Sequence, residues 1–391
     1  MSTTGTEDLL DFTSDEFLTD PWPVYRHFRA EEPVHWSTQA NAFVVFKHAD
    51  VTALLTDRKL ISDFPMRTSR RLFGATLLDS DGQKHRELRQ VFTPLFSGNA
   101  VRRLRQEILI PAVEEVLDAL EGATEVDFLE QIAKQVPYGV ATRLLGLPPK
   151  DIEWLRPRII PMAGAIDFPP SPLPEARTAK AEITEYVTQL LADRQPNDRL
   201  TLLDLLLPPG EEEIDAGQLS TAILLLLAST ETSVATIGTV MYSILAHGIG
   251  SDALLEDKYR NEVVRETLRW EPATHSVLRY AASTFEIRGV KIPKRAAVLL
   301  SVGSANRDEE AFADPDTWRL GRTETRTLTF GAGPHTCLGI HLATAEFDVL
   351  FQALAARYRG FQSSTPLEDL RGHVFRGPTS LRLQLDPRVE G

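Results

Sequence analysis

Between Asp215 and His247 the chain carries a long helical pattern whose middle, Ala222-Ile223-Leu224-Leu225-Leu226-Leu227-Ala228, is apolar on every side. A helix without a polar face must be covered all round, by lipid or by other protein. This run is much shorter than the ~20 apolar residues that cross a bilayer. It therefore predicts a core helix jacketed by other helices. The run then meets Ser229-Thr230-Glu231-Thr232-Ser233, where a purely structural core helix would stay apolar. Each of these groups left unsatisfied on burial costs roughly 1–3 kcal/mol. A cavity crossed by the helix, holding ordered water, accounts for them.

The rest of the chain supplies the jacket. Pro23–Arg29, His48–Leu55, Gln83–Phe92, Leu104–Leu120, Leu129–Leu145, Trp154–Ala163, Glu175–Asp193 and Asp257–Trp270 read as helices. Val34–Trp36, Ala42–Phe46, Ser276–Tyr280, Thr284–Ile287 and Ala296–Val302 read as strands, rich in β-branched and aromatic residues. The tail around Phe375–Leu383 reads as a turn followed by a strand. Ile61–Leu77 keeps no period and reads as a loop. Asp167–Pro174 reads as a rigid, proline-dense connector, Gln195–Asp198 as a polar turn and Asn306–Gly321 as a polar meander. With no repeat, phosphate-binding loop, zinc pattern or clear linker, the expectation is one helix-rich domain over residues 1–391, with about 1–14 a flexible tail.

Lys and Arg number 42 against 55 Asp and Glu, a formal charge of −13 that argues against general nucleic-acid binding. The first residues show no basic stretch leading into an apolar one, so neither a signal peptide nor a membrane anchor is expected, and the cytoplasm is the default location.

The only cysteine, Cys337, lies in Phe330-Gly331-Ala332-Gly333-Pro334-His335-Thr336-Cys337-Leu338-Gly339, ahead of a helix expected over Leu338–Leu350. The glycines permit tight turns and close backbone approach. Amide donors and a nearby helix N-terminus would favour the thiolate, a nucleophile or a metal ligand. His85 and Arg89 stand four apart on one helix face, and Glu266 and Arg269 three apart on another.

These stretches together resemble the cytochrome P-450 family over roughly residues 15 to 385. The resemblance implies a mainly α fold with small β-sheets, the triangular-prism P-450 fold, with haem between the long distal helix and the proximal cysteine loop. It implies haem b (iron protoporphyrin IX) with Cys337 as axial iron ligand and Phe330 and Gly339 beside the ring. It places His85, Arg89, Arg279 and His335 at the propionates, and joins Glu266, Arg269 and Arg322 in a buried structural network. Glu231 and Thr232 match an acid–alcohol pair that relays protons to iron-bound dioxygen; a core threonine bonding its own helix backbone is the competing reading. The family commonly has a small pair such as Ala-Gly where this chain has Ala228-Ser229, so Ser229 is expected to line the distal pocket and change coupling or selectivity. Arg295 replaces a common glycine, a change expected to alter only a turn.

The activity implied is monooxygenation: hydroxylation or epoxidation of a small-to-medium apolar organic substrate, in bacterial specialised metabolism. Oxidative coupling, cyclisation or desaturation on the same scaffold, direct peroxide use, and a non-catalytic haem-binding sensor are the alternatives. No flavin or iron–sulfur module is recognisable, so electrons would come from NAD(P)H through a ferredoxin reductase and a ferredoxin; Lys84, Arg86, Arg102, Arg103 and Arg105 either form a basic docking face or simply solubilise their helices. By family placement the substrate pocket would take in Phe64, Met66, Leu224, Ala228, Ala273, Thr274, His275 and Val277, with Phe73 nearby. For His275 a pocket-facing and a solvent-facing side chain are equally open.

Overall fold

The computed structural model describes residues 9–166, 173–192, 201–206, 215–324 and 326–388. The Asp167–Pro174 connector falls largely outside these residues, and the Gln195–Asp198 turn entirely so. At its centre is the helix Ala216–Ala246, 31 residues long. It starts where the Asp215 carboxylate accepts the backbone N–H of Gln218. It stops where Gly248 turns to φ +61° and the amide of Ile249 reaches back to the Ile244 carbonyl. By length and composition this helix could cross a bilayer, contrary to the sequence expectation. Two-thirds (67%) of its most apolar stretch is nevertheless buried within the protein, as in a core helix.

The helices Gln135–Leu145, Asp257–Trp270, Ile152–Ile166 and Gly82–Phe96 pack around it, and their apolar faces form one continuous core. The approach is tightest at Gly238, where a Cβ would stand 3.0 Å from both Leu129 Cδ2 and Pro378 Cγ. Two expected helices are interrupted. Arg105–Leu109 and Leu129–Ala133 are π-helical turns preceding Ile110–Asp118 and Gln135–Leu145. In each case a proline, Pro111 or Pro137, opens the next helix. Its missing N–H and bulky ring disrupt the regular ladder and widen the turn before it.

A five-stranded sheet runs in the order Val34–Ser37, Ala42–Val45, Ala297–Ser301, Ser276–Ala281, Leu60–Ile61. Its Ala42–Val45 and Ala297–Ser301 strands pair in parallel and all other pairs are antiparallel. A three-stranded sheet joins Glu125–Asp127, Arg382–Pro387 and Tyr358–Ser363. The expected loop Ile61–Leu77 contains a helix, Thr68–Phe73, whose Leu72 and Phe73 reach the core. The tail expectation is corrected for its described part. Leu10 and Phe12 are buried against Phe17, Tyr25 and Phe28, because two large apolar side chains gain more from that cluster than the segment loses in freedom.

Candidate active site

The cysteine loop is folded by its own backbone. Gly331 N–H bonds the Leu328 carbonyl at 2.8 Å, Cys337 N–H the Phe330 carbonyl at 2.8 Å and Thr336 N–H the Gly333 carbonyl at 3.1 Å. Gly333, at φ +71°, is obligatory, since a Cβ there would meet the Leu55 carbonyl at 2.8 Å. The following helix spans Ile340–Arg357, with Gly339 as its N-cap. Phe330 packs partly buried at the edge of the core.

The Cys337 side chain is reachable by solvent, yet protein surrounds it on most sides. Both observations hold for a group on the wall of an internal space. Burial pushes the thiol upward, and the Gly339 amide and the Arg89 guanidinium only partly oppose it. The thiolate expected from the sequence therefore needs a further positive charge, such as a metal ion, which deprotonates a coordinating thiol outright.

Arg89 does not point away from the loop. Its Nη1 donates to the Pro334 and Thr336 carbonyls at 3.1 and 2.9 Å, so it clamps the backbone that presents Cys337. His85 is buried, with its ring 4.2 Å from that of His335, and among the described residues its Nε2 has no hydrogen-bond partner. Burial and the charges of His335 and Arg89 hold His85 down at about 4, so the ring is neutral at working pH. His335 Nε2 lies 3.0 Å from Asp81 Oδ1. Burial works to raise the Asp81 carboxyl, but His335 and the amides of Asp63 and Ser62 overcome it and bring Asp81 to about 2. Arg279 is 6% exposed, its one hydrogen bond runs to the Leu278 carbonyl, and among the described residues no carboxylate is within ion-pair distance. Burial, then the neighbouring Arg67 charge, lowers it to about 9. A buried guanidinium so poorly matched, beside an orphaned imidazole nitrogen, suits an anionic ligand. This donor set, with a sulfur on the same loop system, fits a haem with carboxylate side chains.

On the central helix Ala228 is exposed although Leu227 and Thr230 beside it are buried, so this side of the helix is not covered by packing. Thr232 Oγ donates to the Ala228 carbonyl at 2.8 Å and Ser229 Oγ to the Leu226 carbonyl at 2.9 Å. Both hydroxyl protons are thus spent on the helix backbone, while their oxygen lone pairs stay available to a donor. Glu231 Oε1 accepts a 2.5 Å hydrogen bond from Tyr138, a partner that no sequence pattern marks. One residue beyond Thr232, Ser233 Oγ donates to Glu346 Oε2 at 3.2 Å, tying the central helix to the helix that follows Cys337. Glu346 is fully enclosed, and among the described residues its Oε1 is unpartnered. Burial lifts its carboxyl to about 8, so at neutral pH it holds a proton between the two helices. Glu346 escapes sequence reading because it is one acid in an ordinary amphipathic helix.

Glu266, Arg269 and Arg322 meet in one buried cluster. Arg269 donates to both Glu266 oxygens at 2.9 and 2.7 Å, and Arg322 Nε to Oε1 at 2.8 Å. The two guanidiniums then bind the Asn306, Pro315, Thr317, Asp314 and Ala313 carbonyls, which fixes the meander before the cysteine loop.

The expected pocket residues separate. Leu224 is buried in the helix core, Val277 is half-buried on its strand, and Ala273 is buried where the Arg376 amide bonds its carbonyl. Thr274 spends its hydroxyl on the Val374 carbonyl at 3.1 Å. His275 is neither in the pocket nor in solvent. It is fully buried among Trp22, Tyr25 and His373, 3.6 Å from Glu271, and pressed on by Gly303, which has no side chain to displace it. Phe64 stacks on Tyr280 at 3.9 Å, Met66 is 65% exposed, and Phe73 has joined the core.

Comparison with known proteins gives the fold and site their context. The family model "Cytochrome P-450" matches residues 251–371. The cytochrome P-450 monooxygenase PikC of Streptomyces venezuelae is 30% identical over 377 residues, covering 91% of this chain and 88% of that protein. Cytochrome P-450 107B1 of Saccharopolyspora erythraea is 29% identical, covering 95% of each. Among solved structures, the bacillaene polyketide synthase cytochrome P-450 PksS of Bacillus subtilis 168 superposes with a TM-score of 0.85 at 26% identity, over 95% of this chain and 98% of that one. CalO2 gives a TM-score of 0.86 at 26% identity, over 97% and 99%. The mainly helical fold with small sheets is that of these structures, and the chain belongs to the cytochrome P-450 family.

Proposed function

We propose that the protein is a haem-thiolate monooxygenase that uses dioxygen to hydroxylate or epoxidise a small-to-medium apolar organic molecule. The observation that carries this reading is the bridge from Ser233 to Glu346. It brings the acid–alcohol pair of the central helix beside the helix that follows the cysteine. Haem b, when bound through Cys337, supplies the oxygen activation itself. His85, Arg279 and His335 would hold its carboxylates, and Arg89 keeps the cysteine loop in place.

The chain's own contribution is positioning and proton supply. Glu231 carries a carboxyl that can gain and lose a proton, and Thr232 presents lone pairs one residue on. Glu346 keeps a second proton behind Ser233, out of bulk water. Ser229 adds bulk beside Ala228, where its bond to Leu226 fixes the hydroxyl against the helix and leaves its oxygen to accept from water or substrate. Replacing Ser229 with glycine is therefore expected to change the product distribution more than haem binding.

The monooxygenase PikC supports the oxygenation chemistry, and the polyketide-biosynthesis protein PksS supports a place in specialised metabolism. Electron delivery through a ferredoxin and its reductase, in the cytoplasm, completes the reading. Of the basic residues expected at that docking face, Lys84 and Arg86 are exposed, whereas Arg105 is taken up by Asp348 at 2.7 Å and Gln352 at 3.0 Å. The test is haem-spectral titration of the loaded protein with a panel of apolar ligands, then mass analysis of products with ferredoxin, reductase and NAD(P)H. A product heavier by one oxygen supports monooxygenation. Loss of two hydrogens, or coupling, assigns the alternative chemistry.

A further inference from the structure

We infer that Tyr138 is the positioning residue of the proton relay, holding Glu231 so that its exchangeable proton sits on the oxygen free to serve Thr232. This deepens the relay reading above and rests on it. Tyr138 lies on the helix Gln135–Leu145, is 2% exposed, and donates its hydroxyl to Glu231 Oε1 at 2.5 Å. Among the described residues no Lys, Arg or His lies within ion-pair distance of Glu231, so the phenol is its partner where a cation could have been. The difference matters chemically. A buried guanidinium would bring a full positive charge that favours the carboxylate and resists its reprotonation. A phenol fixes the geometry with little added charge, which suits an acid that must be recharged in every cycle.

With Oε1 occupied, any proton on Glu231 resides on Oε2. In the step implied, the Oε2–H bond breaks and the proton passes to an acceptor at the Thr232 hydroxyl. The bonding electrons stay on the carboxylate, still held by Tyr138, and a proton from bulk water restores Oε2–H. Tyr138 keeps its own proton throughout: burial first, then the Glu231 charge and hydrogen bond, push its ionisation far above the ordinary range. On its outer side Arg156 stands over the Tyr138 ring at 5.8 Å and binds Glu130 at 3.0 Å, which braces the phenol from the surface.

The test uses the haem-loaded protein reduced with dithionite and mixed with dioxygen, following the rate of reoxidation against pH. A carboxylate band in the infrared, assigned to Glu231 by its loss in Glu231→Gln, is recorded with and without haem. Tyr138→Phe removes one donor from the carboxylate. It should shift the pH inflection upward by roughly half a unit to one unit and move the Glu231 band. Glu231→Gln should abolish the inflection. If Tyr138→Phe misfolds, 3-fluorotyrosine at position 138 strengthens the donor instead and should shift the inflection downward. An inflection lost in Glu231→Gln but unmoved by either change at 138 overturns the role of Tyr138 alone. An inflection unaffected by Glu231→Gln overturns the relay reading, and this inference with it.

Discussion

Glu346 shows how one buried atom pair can matter at the scale of a residue. In the unfolded chain its carboxyl titrates near 4.5 and in the folded protein at about 8. Between these values the folded state keeps a proton that the unfolded state has released. Stability therefore falls as pH rises through the window, by up to ~1.4 kcal/mol per pH unit. Glu346→Gln, which is neutral throughout, should lose that slope. Thermal melts from pH 5 to pH 8 should show the variant gaining steadily on the parent, and parallel melting curves would refute the buried proton. Arg279 makes a second prediction at this scale. Arg279→Gln removes a buried cation without a carboxylate partner, so haem-free protein should be no less stable than the parent, while haem affinity falls by about tenfold or more. Calorimetry and haem titration separate the two effects. Cys337, Glu231 and Thr232 stand out as candidates in the sequence because each interrupts its surroundings, as the only cysteine or as a polar break in an apolar helix. Tyr138 and Glu346 interrupt nothing in one dimension, and only the packing of helices far apart in sequence gives them partners. His275 was misplaced because its surroundings come from Trp22, Tyr25 and His373 at the two ends of the chain, beyond the reach of any local pattern.

At the scale of elements, the helix Asp257–Trp270 and its link to the meander hold the cysteine loop from behind. Glu266 compensates two guanidiniums that are almost wholly enclosed, Arg269 and Arg322. Glu266→Ala would leave both buried and unpaired, at a cost of about 3–5 kcal/mol. A large fall in melting temperature with loss of bound haem is expected, and near-parental stability would contradict the account. Arg295 belongs here too. It holds φ +73°, an uncommon conformation for a residue with a side chain, and its guanidinium stands 5.6 Å from the Phe64 ring, which itself stacks on Tyr280. Its expected role of merely altering a turn understates this packing. Arg295→Ala keeps the backbone strain and loses the contact, worth roughly 0.5–1 kcal/mol. Faster amide hydrogen exchange over residues 62–67 should follow. Periodicity located nearly every long helix within a few residues. It missed the π-turns before Pro111 and Pro137 and the short helix Thr68–Phe73, where a proline's missing donor or a tertiary contact overrides the local pattern.

For the molecule as a whole, the apolar helix crossing the core did predict an all-round helical jacket, and the ordered motifs predicted the family to which the chain belongs. The substrate was not legible, because no residue pattern specifies one, and of the expected pocket side chains Leu224 and His275 are buried in packing and Thr274 spends its hydroxyl on the backbone. What unites fold and chemistry is the lone thiol, Cys337. Purified protein supplied with haem, reduced and exposed to carbon monoxide should show the long-wavelength band of a thiolate-ligated haem, and Cys337→Ser should lose that band. A parent without the band, or a serine variant whose spectrum is unchanged, would contradict the account.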